Sequence, residues 1–153
     1  MATRSGPTPG RGLTPRVPLL GLILLFGPGG CGSPTSSPDT TNNLPLITFN
    51  SVDVDATFLT DINVTITGTL VASADWTQAA NDIEIYVTNT TCNYTLAVEV
   101  RQFCTLLGKT NDPTAKPKIL SMNITPGIYR VFVANFGPAG PESGTLQISL
   151  RGH

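Results

Sequence analysis

The sequence predicts an all-β chain: a single antiparallel β-sandwich of seven or eight strands, preceded by a targeting segment and a flexible tether. Three observations carry this expectation. From Leu44 onward the apolar residues recur with a period of two rather than 3.6. Turn-forming clusters break the chain at short intervals: Asn81-Asp82, Asn111-Asp112-Pro113, Thr125-Pro126-Gly127, and Gly137-Pro138 with Gly140-Pro141. No stretch carries the pattern of a long amphipathic helix, which leaves sheet packed on sheet as the way to bury the apolar faces.

The N-terminal elements come first. Arg4, Arg11 and Arg16 are the only charged residues before Asp39, and all three are positive. An apolar run follows over residues 17–26, too short for a bilayer span, which takes about 20 residues, and the length of a signal-peptide core. Pro18, Gly21 and Pro28 argue against a buried helix here. Gly27-Pro28-Gly29-Gly30 then precedes Cys31. A positive start, an apolar core, small residues and a Cys resemble a bacterial lipoprotein signal. That resemblance implies removal of residues 1–30 and a lipid on Cys31; Pro28 departs from the Leu that the pattern favours. Removal of the three Arg leaves six cationic against ten acidic side chains, a net charge of about −4. Residues 31–43 are small, polar and Pro-interrupted, a tether that cannot bury apolar surface.

Residues 44–153 form the predicted domain. Val64 and Ile66 alternate with Thr65 and Thr67; Ile83, Ile85 and Val87 alternate with Glu84 and Tyr86. Leu96, Val98 and Val100 alternate with Ala97, Glu99 and Arg101, a further expected strand. Residues 128–136 are apolar on both faces, as in a central strand covered on both sides. Leu146, Ile148 and Leu150 alternate with polar residues in a half-exposed final strand. Weaker strand signals cover residues 46–49, 52–58 and 119–124. Pro126-Gly127 is expected to make a tight turn in which Gly accepts positive φ.

Three of these segments stand in a recognisable order. Asp75-Trp76 and then Asn81-Asp82-Ile83-Glu84-Ile85-Tyr86-Val87 come first. Thr125-Pro126-Gly127-Ile128-Tyr129-Arg130-Val131-Phe132-Val133 and Gly144-Thr145-Leu146-Gln147-Ile148-Ser149-Leu150 follow. Together they resemble the bacterial pre-peptidase C-terminal (PPC) domain, over roughly residues 46–151. Two departures are Leu146, where the family often has Tyr, and the longer, Cys-bearing stretch over residues 92–118. The resemblance implies a jelly-roll-like sandwich and an accessory, non-catalytic module.

The residue chemistry excludes several classes. Charged residues are only 12% of the chain, and the formal net charge is −1, which gives no basic footprint for nucleic acid. The single His is the last residue, so no His is available to activate a Cys or Ser nucleophile in the domain. Zinc lacks ligands, and no Gly-x-Ser-x-Gly elbow occurs. With Cys31 lipidated, Cys92 and Cys104 remain as an even pair in an exported protein and are expected to form a disulfide. Asp75, Asn81 and Asp82 supply the oxygen ligands that calcium takes, without the spacing of a calcium loop, and are the candidate metal ligands; no other cofactor is expected. Four Asn-x-Thr triplets, at Asn63, Asn89, Asn93 and Asn123, read as chance in a Thr- and Asn-rich chain.

The expected function is that of a non-catalytic, lipid-anchored accessory module of the bacterial cell envelope, binding a protein or glycan, with no nucleic-acid partner. Trp76, Tyr86 and Phe136 are the candidate ligand contacts; for Trp76 the alternative is a core or rim anchor. The alternatives for the whole chain are a structural subunit of an envelope assembly and a secreted, calcium-binding adhesion domain.

Overall fold

The computed structural model describes residues 40–152, which form two antiparallel sheets packed face to face. Nine strands and one short helix follow in the order β1 (Thr41–Asn43), β2 (Ile47–Val52), β3 (Thr57–Val64), β4 (Gly68–Trp76), β5 (Ile83–Asn89), α1 (Ala97–Phe103), β6 (Leu106–Lys109), β7 (Lys118–Ile124), β8 (Gly127–Asn135) and β9 (Glu142–Gly152). One sheet runs β1-β9-β4-β7, with β2 also paired to β9; the other runs β3-β8-β5-β6. Most connections pass from one sheet to the other, so the inner faces close on each other as in a jelly roll. The residues assigned to the signal segment and most of the tether lie outside the described residues, Cys31 among them.

The core follows from the period of two. Leu70, Ala72, Ala74 and Trp76 alternate inward along β4, and Leu146, Ile148 and Leu150 do the same along β9. From the facing sheet come Ile83, Ile85 and Val87 of β5 and Val131 and Val133 of β8. β8 lies between β3 and β5; from Val131 to Asn135 it is buried on both faces, as its sequence predicts, whereas Ile128, expected to be covered, is 62% exposed. Its outer residues Phe132 and Ala134 join Tyr86, Cys92, Ala97 and Val100 in a second apolar cluster on the outside of the sandwich. Gly144 is required where β9 crosses the end of β4: a Cβ there would lie 2.0 Å from the Asp75 carbonyl oxygen.

The largest correction concerns residues 96–100. Expected as a strand, they begin α1, whose buried residues are Ala97 and Val100, with Cys104 packed on the same cluster. Steps of three and four along the chain make a helical seam, and the outer apolar strip of β5 and β8 gives that seam a surface to cover. The Cys92–Cys104 disulfide closes around it, with Cα atoms 5.6 Å apart. Arg130 secures the same segment: it donates to Asp61 Oδ1 at 2.6 Å and Oδ2 at 2.8 Å, to the Cys92 carbonyl at 2.7 Å, and to Asn93 Oδ1. Its guanidinium holds the Asp61 carboxyl below the usual carboxylate range by hydrogen bonding.

Smaller differences have local causes. Strand signal over residues 63–67 ends at Val64, and residues 65–67 turn into β4. The expected strand over residues 52–58 is broken by a turn in which Asp55 takes φ 61°, a conformation that Asp tolerates. Thr41–Asn43, assigned to the tether, are β1 and pair with Ser149–Arg151. Gly127 does not use positive φ; Gly140 does, at φ 97°. β4 escapes the sequence because Ala72, Ser73 and Ala74 are small and carry little strand propensity.

Candidate functional site

The two ends of the sandwich differ in chemistry. At one end, β4 and β8 finish and β9 begins, and the connecting loops over residues 77–82 and 136–141 come together around three buried polar side chains, Asn81, Asn135 and Glu142. The Glu142 carboxylate is fully buried and accepts from the Thr77 amide at 3.1 Å, the Gln78 amide at 3.0 Å, the Ser143 amide at 2.9 Å, Asn81 Nδ2 at 2.9 Å and the Thr77 hydroxyl. Burial alone would raise its pKa. The hydrogen bonds from Thr77, Asn81, Ser143 and Gln78 outweigh that and bring it from 4.5 down to about 2. Asn81 Oδ1 accepts from the Ala139 amide at 2.8 Å. Asn135 Nδ2 donates to the carbonyls of Val52 and Gly140, each at 3.0 Å, and its Oδ1 accepts from the Gly137 amide at 3.0 Å. A Cβ on Gly137 would lie 2.2 Å from Asn81 Oδ1, so the loop closes tightly on that side chain.

The candidate calcium ligands lie at this same end. Asp82 Oδ1 pairs at 3.0 Å with Lys118 Nζ, whose side chain is buried and which also donates to the Asp112 carbonyl. Asp75 Oδ1 accepts from the Trp76 amide at 2.9 Å and lies 3.7 Å from Lys116 Nζ. Asn81 is engaged as described. Each of the three groups thus has protein partners, two of them lysines, and among the described residues no group of three or more His, Cys, Asp or Glu is arranged to hold a metal ion.

The aromatic candidates are placed differently from a set of exposed ligand contacts. Trp76 is 6% exposed and Tyr86 is fully buried, so neither presents a ring to solvent. Trp76 is an anchor at the rim of the core: Nε1 donates to the Gln78 carbonyl at 2.9 Å, and Lys116 Nζ lies 5.2 Å from its ring centroid. Tyr86 lies under α1, and its hydroxyl has no hydrogen-bond partner among the described residues. Burial pushes that phenol up, the Glu84 carboxylate adds to the shift, and Arg101 opposes it. Phe136 is half-buried and packs on the outer cluster, with the Arg101 guanidinium 5.5 Å from its ring.

The opposite end of the sandwich holds an open groove of about 570 Å³. It lies beside β6 and β7, near the turns that join β3 to β4 and β7 to β8. Leu107, Met122, Ile124 and Tyr129 supply an apolar lining, and Thr67, Asn123 and Thr125 supply polar groups. The Tyr129 hydroxyl donates to the Thr125 carbonyl at 2.9 Å, which fixes the ring in the wall. Sequence reasoning missed these residues. Leu107 and Met122 stand on short or weakly patterned strands, and nothing local marks them as neighbours. It also missed Glu142, an isolated carboxylate in a Pro- and Gly-rich loop, where exposure is the ordinary expectation.

No family model and no curated protein matches the chain. Among solved structures, the chain is similar to the pre-peptidase C-terminal domain of a collagenase from Bacillus anthracis, with a TM-score of 0.46 and 13% sequence identity over 68% of this chain and 85% of that one.

Proposed function

We propose that the chain is a non-catalytic accessory module of the bacterial cell envelope, held by a lipid on Cys31, that binds a protein or glycan ligand in the groove formed by Leu107, Met122, Ile124 and Tyr129. The groove is the observation that supports this reading: it is concave, mostly apolar, and edged by a few hydroxyl and amide groups, the composition of a recognition site. The segment order that resembles the PPC domain supports the accessory role, and the signal-like N-terminus ending at Cys31 supports the anchor. The polar groups at the other end of the sandwich are engaged with one another, so they serve the fold.

Peptide and glycan arrays probed with the full exported chain test the groove. The expected result is a ligand class whose binding is lost in Met122→Glu and in Leu107→Lys. Leu107 is 46% exposed, so the second variant folds even if the first does not. Binding unchanged in both variants would contradict the assignment. For the anchor, Cys31→Ser is expected to release the protein from membranes; retention would contradict the lipid.

A further inference from the structure

The α1 segment covers the sheet with one face and leaves a second apolar face open. Phe103 is 63% exposed, Leu96 45% and Tyr94 39%. The rings of Tyr94 and Phe103 lie 5.6 Å apart, so they form one surface. Leu96 bridges to Ala56 and extends that surface toward the turn that carries Asp53 and Asp55. Three large apolar side chains in this setting are more than the scattered single residues of an ordinary surface. The segment carrying them is fixed by the disulfide and the Arg130 clasp, so an interface there would lose little conformational freedom on binding.

The charges around this surface select its occupant. Asp53 and Asp55 are exposed, the Asp55 carbonyl accepts from the Ala97 amide at 2.7 Å, and Glu99 stands in the first turn of α1. Two cations lie nearby and both are engaged: Arg101 is turned over the ring of Phe136, and Arg130 is paired with Asp61. An acidic rim repels an anionic lipid surface, and it repels a second copy of this net acidic chain. We infer that the outer face of α1 docks a partner protein through an apolar segment flanked by lysine or arginine. The inference rests on the reading of the chain as a binding module but uses a surface separate from the groove.

The test uses the full exported chain in neutral phosphatidylcholine nanodiscs, with empty nanodiscs as blank. Two labelled synthetic amphipathic helices serve as probes, one of leucine and lysine, the other of leucine and glutamate. The lysine helix is expected to bind at least about tenfold tighter than the glutamate helix. Phe103→Ser and Tyr94→Ser should each weaken it about tenfold while the chain melts as wild type. Asp53→Asn combined with Asp55→Asn should weaken it about threefold and flatten its dependence on salt. Leu107→Lys should leave it unchanged. Equal binding of the two helices, binding of neither, full binding by both aromatic variants, or stronger binding to phosphatidylglycerol discs than to the lysine helix would overturn the inference. Loss of binding in Leu107→Lys alone would overturn it in favour of the groove. An array that yields no groove ligand, with the lysine helix still bound through Tyr94 and Phe103, would count against the groove and support the docking face.

Discussion

The end of the sandwich built on Glu142 and the end that holds the groove are made from the same strands, yet they treat polar and apolar groups in opposite ways. At the Glu142 end, Asn81, Asn135 and the carboxylate are buried and hydrogen-bonded to one another or to the backbone of the two loops and of Val52 at the end of β2. Such a network is stabilising only when complete, because each unsatisfied buried polar group costs about 1–3 kcal/mol. At the groove end, Leu107 and Met122 remain partly open to solvent; Leu107, 46% exposed, can be replaced at little cost to the fold, while Met122 also packs on the core. The difference separates residues that hold the loops in place from residues free to meet a ligand. The outer face of α1 belongs with the groove in this respect.

Substitutions can break or sharpen that contrast. The largest effect is expected away from both ends, in the shared core. Val131→Asp places an unpaired charge in the middle of β8, fully buried, and should abolish a cooperative melt. A melt close to wild type would contradict the central position of β8. Glu142→Gln is next. It replaces an acceptor-only carboxylate by an amide whose NH2 faces donors, and should cost about 2–4 kcal/mol, read from denaturant midpoints. An unchanged midpoint would mean that the loops hold together without the carboxylate.

The same group gives a pH dependence. Its pKa is depressed in the folded chain, from 4.5 to about 2. Its contribution is therefore fully present above pH 4.5 and is lost as pH falls through 2, on the order of 3 kcal/mol. Glu142→Gln should flatten the stability profile in that window, and an equally steep profile in the variant would assign the acid sensitivity to other carboxylates. Removing the disulfide as Cys92→Ser with Cys104→Ser should cost about 2–3 kcal/mol without abolishing folding, because the loop it closes is short. An unchanged melt would show that Arg130 and the apolar seam hold α1 unaided. The smallest effect on stability, within about 0.5 kcal/mol, is expected for Leu107→Lys in the groove. A larger loss would show that the groove wall supports the core.

Much of the fold could be read from the chain, and what could not follows a physical pattern. β5, β8 and β9 are legible because β-branched and large apolar residues alternate cleanly in them. β4 is not, because Ala72 and Ala74 bury their faces without announcing it. α1 is misread because Leu96, Val98 and Val100 satisfy a period of two, while the seam that matters, Ala97, Val100 and Cys104, appears only once β5 and β8 present an apolar strip for it to cover. The disulfide pairing was legible from the even number of thiols left once Cys31 is set aside. The candidate sites were least so. Trp76 and Tyr86 are aromatic residues in prominent positions of the pattern, and both are buried as fold anchors. The groove residues come from four separate stretches of chain and converge only through sheet topology.

The most direct test sets the two ends against each other in one ligand-binding measurement. Affinity for an array-selected ligand is measured for wild type, Leu107→Lys and Glu142→Gln, at a temperature where all three are folded. The account predicts that Leu107→Lys loses binding at wild-type stability, while Glu142→Gln keeps binding at reduced stability. Binding retained in Leu107→Lys and lost in folded Glu142→Gln would contradict it and move the recognition site to the opposite end of the sandwich.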